Sequence, residues 1–119
     1  IVITETVDES LKQICEGIEL RYDWITFLEI GADKDHVHFL VQSTPDYSPT
    51  KIITTIKSIT AKRIFAEHPE VKKQLWGGSF WSGGFFVSSV GRNVSEQAIK
   101  EYVKNQGKQD SYEQILLKL

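Results

Sequence analysis

The sequence predicts an α+β domain in which helices cover one antiparallel sheet. Three observations carry that prediction: apolar residues spaced four, three and four apart near the start, an alternating pattern over residues 36–43, and a proline-initiated amphipathic segment soon after it. The predicted order is helix, two strands, helix, two strands, helix, which is the order of a sheet packed under helices. With 119 residues the chain suits a single domain spanning 1–119, long enough for a hydrophobic core and too short for a second one.

Val7, Leu11, Ile14 and Ile18 mark the first helix, because that spacing puts all four on one side. Ahead of it, Ile1-Val2-Ile3 reads as the end of a strand, and there is no initiator methionine. The expectation is therefore a first strand truncated at the front, which would complete a ferredoxin-like core. Trp24 to Ile30 is rich in strand formers, and Gly31-Ala32-Asp33-Lys34-Asp35 supplies a turn. His36 to Ser43 returns as the second strand of a hairpin. Alternation sets His36, His38, Leu40 and Gln42 on one face and Val37, Phe39 and Val41 on the other.

Ser48 as an N-cap with Pro49 at the first helical position starts a helix running to about Phe65. Its apolar stripe is Ile52, Ile56 and Ile59, which leaves Lys57, Lys62 and Arg63 outside it. Leu75 to Phe86 is dense in glycine and aromatic residues and reads as one or two strands around a glycine turn, ending near Val90-Gly91. Asn93 followed three residues later by Glu96 resembles a capping box, with Ser95 an alternative N-cap. It opens a helix with Ile99, Tyr102, Val103 and Gln106 that Gly107 closes. Ser111 to Leu119 is expected to form a short terminal helix.

Apolar content of 40% and charged content of 25% are ordinary for a soluble globular protein. No apolar run approaches the ~18 residues of a membrane span, so a membrane partner is not expected. A lone cysteine, Cys15, has no internal disulfide partner and sets the expectation of a cytoplasmic protein. The formal net charge of −2 is unevenly spread. Residues 1–35 carry nine acids and three bases, whereas Lys51, Lys57, Lys62, Arg63, Lys72 and Lys73 outnumber Glu67 and Glu70 in residues 51–73. The overall sign does not favour a nucleic-acid partner, but such polarity can still turn a basic face to phosphates.

Two residues apart on a strand, His36 and His38 have Cα atoms ~6.6 Å apart and rings that can converge on one ion. An isolated pair of this kind more often makes ordinary hydrogen bonds. Asp33 and Asp35 in the preceding turn add groups able to orient a ring or donate an oxygen. Tyr102 and Gln106 lie one turn apart on a helix whose core contacts Ile99 and Val103 already supply.

Five segments then occur in a familiar order: Asp35-His36-Val37-His38-Phe39-Leu40-Val41; Ser48-Pro49 with Lys57-Ser58-Ile59-Thr60; Leu75-Trp76-Gly77-Gly78-Ser79-Phe80-Trp81; Val90-Gly91; and Tyr102-Val103-Lys104-Asn105-Gln106. With these the chain resembles the small single-tyrosine HUH transposases of insertion sequences of the two-hundred type, including their palindrome-associated relatives. The resemblance spans roughly residues 8–107. It implies an HUH endonuclease fold with Tyr102 as nucleophile, His36, His38 and Gln106 as metal ligands, and Asp33 assisting. It also implies a divalent metal, Mg²⁺ or Mn²⁺, with no nucleotide cofactor, since one phosphate ester is simply exchanged for another.

The implied substrate is single-stranded DNA with a hairpin, cut and rejoined through a 5′-phosphotyrosine. A free tyrosine, with a pKa of about 10, needs such help to attack at neutral pH. The implied assembly is a homodimer in which the tyrosine helix of one subunit completes the histidine site of the other. Lys57, Lys62 and Arg63 are then expected to grip the DNA. Three competing expectations are a domesticated relative acting on repeated palindromes, a non-catalytic nucleic-acid-binding module and a metal-dependent hydrolase.

Overall fold

A computed structural model describes residues 4–33, 35–75, 78–89 and 111–119. Helix α1 spans Glu5–Arg21 and starts where the Thr4 hydroxyl accepts the Val7 N–H at 3.3 Å. Glu5 and Asp8 in its first turn and Arg21 in its last complement the helix dipole. Val7, Leu11, Ile14, Cys15 and Ile18 form its buried stripe. Strands β1 (Ile25–Ala32) and β2 (His36–Ser43) make the expected hairpin, closed by the Asp33 N–H donating to the His36 carbonyl at 2.9 Å. The strand runs two residues further than Ile30, so the turn is tighter than the sequence suggests. A bulge between Phe27 and Glu29 resets the alternation of β1, and the Glu19 carboxylate accepts the Phe27 N–H beside it.

Ser48 caps helix α2 (Pro49–Glu67), its hydroxyl accepting the Lys51 N–H at 3.1 Å. A short helix α3 (Pro69–Gln74) follows, unanticipated in the sequence but begun by the same device, proline in the first turn. Gly78 closes the next turn: its N–H donates to the Leu75 carbonyl at 2.8 Å, and a Cβ there would stand 2.9 Å from that oxygen. Between 78 and 84 the chain is a loop that sends Phe80 and Trp81 into the core. Strand β3 (Phe85–Ser89) is the one strand that the glycine- and aromatic-rich segment forms among the described residues.

The terminal segment is not the expected helix. Ser111–Lys118 forms strand β4, antiparallel to β2 on one side and β3 on the other. The reason is burial: Glu113, Ile115 and Leu117 alternate on one face of a strand that has neighbours on both edges. The sheet order is β1-β2-β4-β3, so β2, the α2–α3 pair and β3 form a crossover with β4 in the gap. This is the expected α+β architecture, an antiparallel sheet under helices. The strand expected ahead of α1 falls on residues 1–3, outside the described residues, as do the expected Asn93 cap and the helix bearing Tyr102 and Gln106.

One core unites the layers. Leu11 and Ile18 of α1, Ile52, Ile56 and Ile64 of α2, Val37, Phe39 and Val41 of β2, and Ile115 and Leu117 of β4 are buried in a single cluster. Both long helices therefore pack on the Val37 face of the sheet. Trp81 edges against Phe80 with centroids 4.8 Å apart, and its indole N–H donates to the Thr60 hydroxyl at 2.9 Å. No described helix is long and apolar enough to cross a membrane.

Candidate active site

Strand alternation puts His36 and His38 on the face of the sheet opposite the helices, as the sequence predicts. Both imidazoles are half-buried, while Leu40 and Gln42 further along the same face are buried. Register then sets their neighbours. His38 lies between Gly31 of β1 and Leu116 of β4, and His36 lies opposite Lys118. Gly31 brings no side chain to this row, and Phe86 of β3, 69% exposed, ends it on the far side of Leu116.

Each ring has a partner for one nitrogen at hydrogen-bond distance, and the second nitrogen of His36 also faces a carboxylate. Nδ1 of His36 is 3.1 Å from Oδ1 of Asp35, and Nε2 of His38 is 3.1 Å from Oε1 of Gln114. A carboxylate and an amide oxygen only accept, so the nitrogen facing each must carry the proton. On His38 that leaves the lone pair of a neutral ring on Nδ1. Asp33 reaches the same histidine, with Oδ2 3.5 Å from Nε2 of His36. The hydrogen bond from His36, joined by the charge of Lys118, lowers the Asp35 carboxyl below its ordinary range.

His38 shows the pattern by which proteins orient metal-ligating histidines, one nitrogen held by an amide and the other left to bind, whereas both nitrogens of His36 face carboxylates. By chemistry the donors, two imidazoles on one face with the carboxylate of Asp33 beside one of them, suit a divalent cation, which at Nε2 of His36 would take the place of the Asp33 contact. Among the described residues no group of three or more histidine, cysteine or acidic side chains could hold a metal by itself. Tyr102 and Gln106, expected as nucleophile and third ligand, lie outside the described residues. Gln114 was missed in the sequence because its segment reads as a helix. No clean alternation marks that segment, since Ile115-Leu116-Leu117 is a continuous apolar run.

Lys57, Lys62 and Arg63 lie on α2, in the helix layer across the sheet from the histidines. The Lys57 ammonium donates to the Ser82 carbonyl at 3.0 Å and stands 5.8 Å from the centre of the Phe85 ring. Arg63 pairs with Glu67 at 3.3 Å, and Lys62 is exposed. Of the aromatic residues in the glycine-rich segment, Trp81 and Phe80 are core, Phe85 and Phe86 are exposed, and Trp76 lies outside the described residues.

Residues 1–106 match the family model described as "Transposase IS200 like". The ISDra2 transposase TnpA of Deinococcus radiodurans is 29% identical over 105 residues, which cover 88% of this chain and 74% of that protein. A crystal structure of a protein from the same organism, assigned as a transposase, superposes with a TM-score of 0.68 at 28% identity, covering 88% of this chain and 79% of that one.

Proposed function

The chain belongs to the IS200-like transposase family, and from that premise we propose that it cuts and rejoins single-stranded DNA at hairpin-marked ends by transesterification through Tyr102. The observation that carries the proposal is the paired histidine site: two half-buried imidazoles on one strand face, each held by a separate partner, Asp35 and Gln114.

In this reading His36, His38 and Gln106 hold Mg²⁺ or Mn²⁺, and Asp33 assists at His36. The cation supplies polarisation of the scissile phosphate and offsets the charge that develops on it. The Tyr102 oxygen attacks phosphorus, the bond to the 3′ oxygen breaks, and the strand is left as a 5′-phosphotyrosine and a free 3′-hydroxyl. Tyr102 gives up its proton and the leaving oxygen gains one. Attack by a 3′-hydroxyl on the phosphotyrosine reverses the step, so rejoining needs no nucleotide cofactor. We read the assembly as a homodimer, the helix with Tyr102 and Gln106 serving the partner's histidines.

The test is incubation with a labelled single-stranded hairpin oligonucleotide and Mg²⁺, followed by denaturing electrophoresis. A covalent protein–DNA band is expected that is absent in Tyr102→Phe, strongly reduced in His36→Ala and abolished by EDTA. Cleavage without a covalent band would instead identify a hydrolase.

A further inference from the structure

Lys57 and Lys62 of α2 border a groove in the layer opposite the histidines. It runs between α2 and the loop 78–83 and encloses about 630 Å³, within the range of sites that hold small ligands. Ser58 and Phe65 lie along its helix wall, with Lys57 and Lys62 to either side of that stripe, and Ser79 and Phe80 line the loop wall. Among the described residues no aspartate or glutamate lines it. In a chain with a formal net charge of −2, a concave surface to which the described residues bring two ammonium groups and no carboxylate is complementary to an anion.

Its shape narrows the choice further. Lys57 is not a freely waving surface charge: the Ser82 carbonyl and the Phe85 ring fix its ammonium at the end of the groove, with donors to spare. The half-buried Phe65 offers an aromatic surface between the lysines. Aromatic surface between cations is what an unpaired nucleotide needs, its base stacking and its phosphates meeting charge. A paired duplex hides its base faces and cannot use the aromatic floor.

We propose that this groove binds an unpaired stretch of the DNA substrate, separately from the histidine site. The inference rests on the DNA-processing reading above and adds where unpaired nucleotides are held. Beyond the lysine end, Phe85 and Phe86 occupy opposite faces of the edge strand β3, and Phe86 shares a cross-strand row with His38. A strand leaving the groove therefore meets exposed aromatic surface on its way to the histidine face.

Fluorescence anisotropy of the full chain with a labelled oligothymidylate in EDTA reads groove binding without hairpin or cleavage. Ser58→Trp, which fills the groove and keeps every charge, is expected to weaken the oligothymidylate about tenfold while leaving a fully paired hairpin unaffected. Lys62→Ala is expected to lower the slope of log affinity against log salt by about 0.7. Thermal unfolding of both variants checks that they remain folded. Parental affinity in Ser58→Trp, or equal weakening of oligothymidylate and paired hairpin, overturns the proposal. His36→Ala should bind the oligothymidylate like the parent. Groove binding that survives while no covalent adduct ever forms would sink the transesterification reading alone.

Discussion

Gln114 is the residue on which the histidine site turns most sharply. Its amide oxygen holds Nε2 of His38 at 3.1 Å, and so decides which nitrogen of that ring is free. Replacing it with leucine keeps the volume and removes the acceptor. Gln114→Leu is expected to weaken Mn²⁺ binding by about 10- to 100-fold in a calorimetric titration, with the unfolding midpoint nearly unchanged. An unchanged affinity would show that the ring is oriented by packing alone. Cys15 behaves in the opposite way, as an inert core atom. Burial, with the Glu19 charge adding to it, pushes its thiol from the ordinary 9.0 up to about 12. Because the folded value lies above the unfolded one, the associated stability is fully present below about pH 9 and is lost as pH rises toward 12. Cys15 should accordingly resist iodoacetamide in the native protein at pH 8 and react only in urea. Rapid native labelling would contradict its burial.

At the scale of elements, α2 is tied to the loop after α3 through one buried bond, the Trp81 indole N–H donating to the Thr60 hydroxyl. Thr60→Val keeps the shape and strands the indole, at an expected cost of about 1–3 kcal/mol in urea denaturation. A second tie joins α1 to the α2–α3 junction, where the Ser10 hydroxyl lies 2.7 Å from Nε2 of the buried His68. The sequence made α1, the hairpin and α2 legible because each has a clean period of its own: Val7, Leu11, Ile14 and Ile18 for a helix, Val37, Phe39 and Val41 for a strand. It misled over β4, where Ile115-Leu116-Leu117 is a continuous apolar run compatible with either period. Pairing with residues more than seventy positions away settles that choice, and no local pattern encodes such pairing. The same limit hid Gln114, whose meaning comes entirely from standing beside β2. The histidine pair itself was legible, since two residues on one strand share a face whatever lies next to them.

For the whole molecule, the sheet separates two chemistries. Paired histidines lie on one face and the lysine-bordered groove lies in the helix layer behind the other, with the edge strand β3 between them. On the proposed reading, that division lets a short domain hold a single strand at two places. If the tyrosine helix serves the partner subunit, a doubly substituted His36→Ala/His38→Ala protein mixed with Tyr102→Phe should regain about a quarter of the active sites, because each mixed dimer then carries one intact composite site. Recovery of none would place the helix on its own subunit. The central claim is that Tyr102 carries the broken strand, and mapping the adduct tests it most directly. Wild-type protein reacted with hairpin DNA and Mg²⁺ would be digested with nuclease and protease, and the nucleotide-bearing peptide sequenced by mass spectrometry. A 5′-phosphonucleotide on Tyr102 is expected; an adduct on any other residue, or cleaved DNA with no adduct at all, would overturn the assignment of Tyr102 as nucleophile.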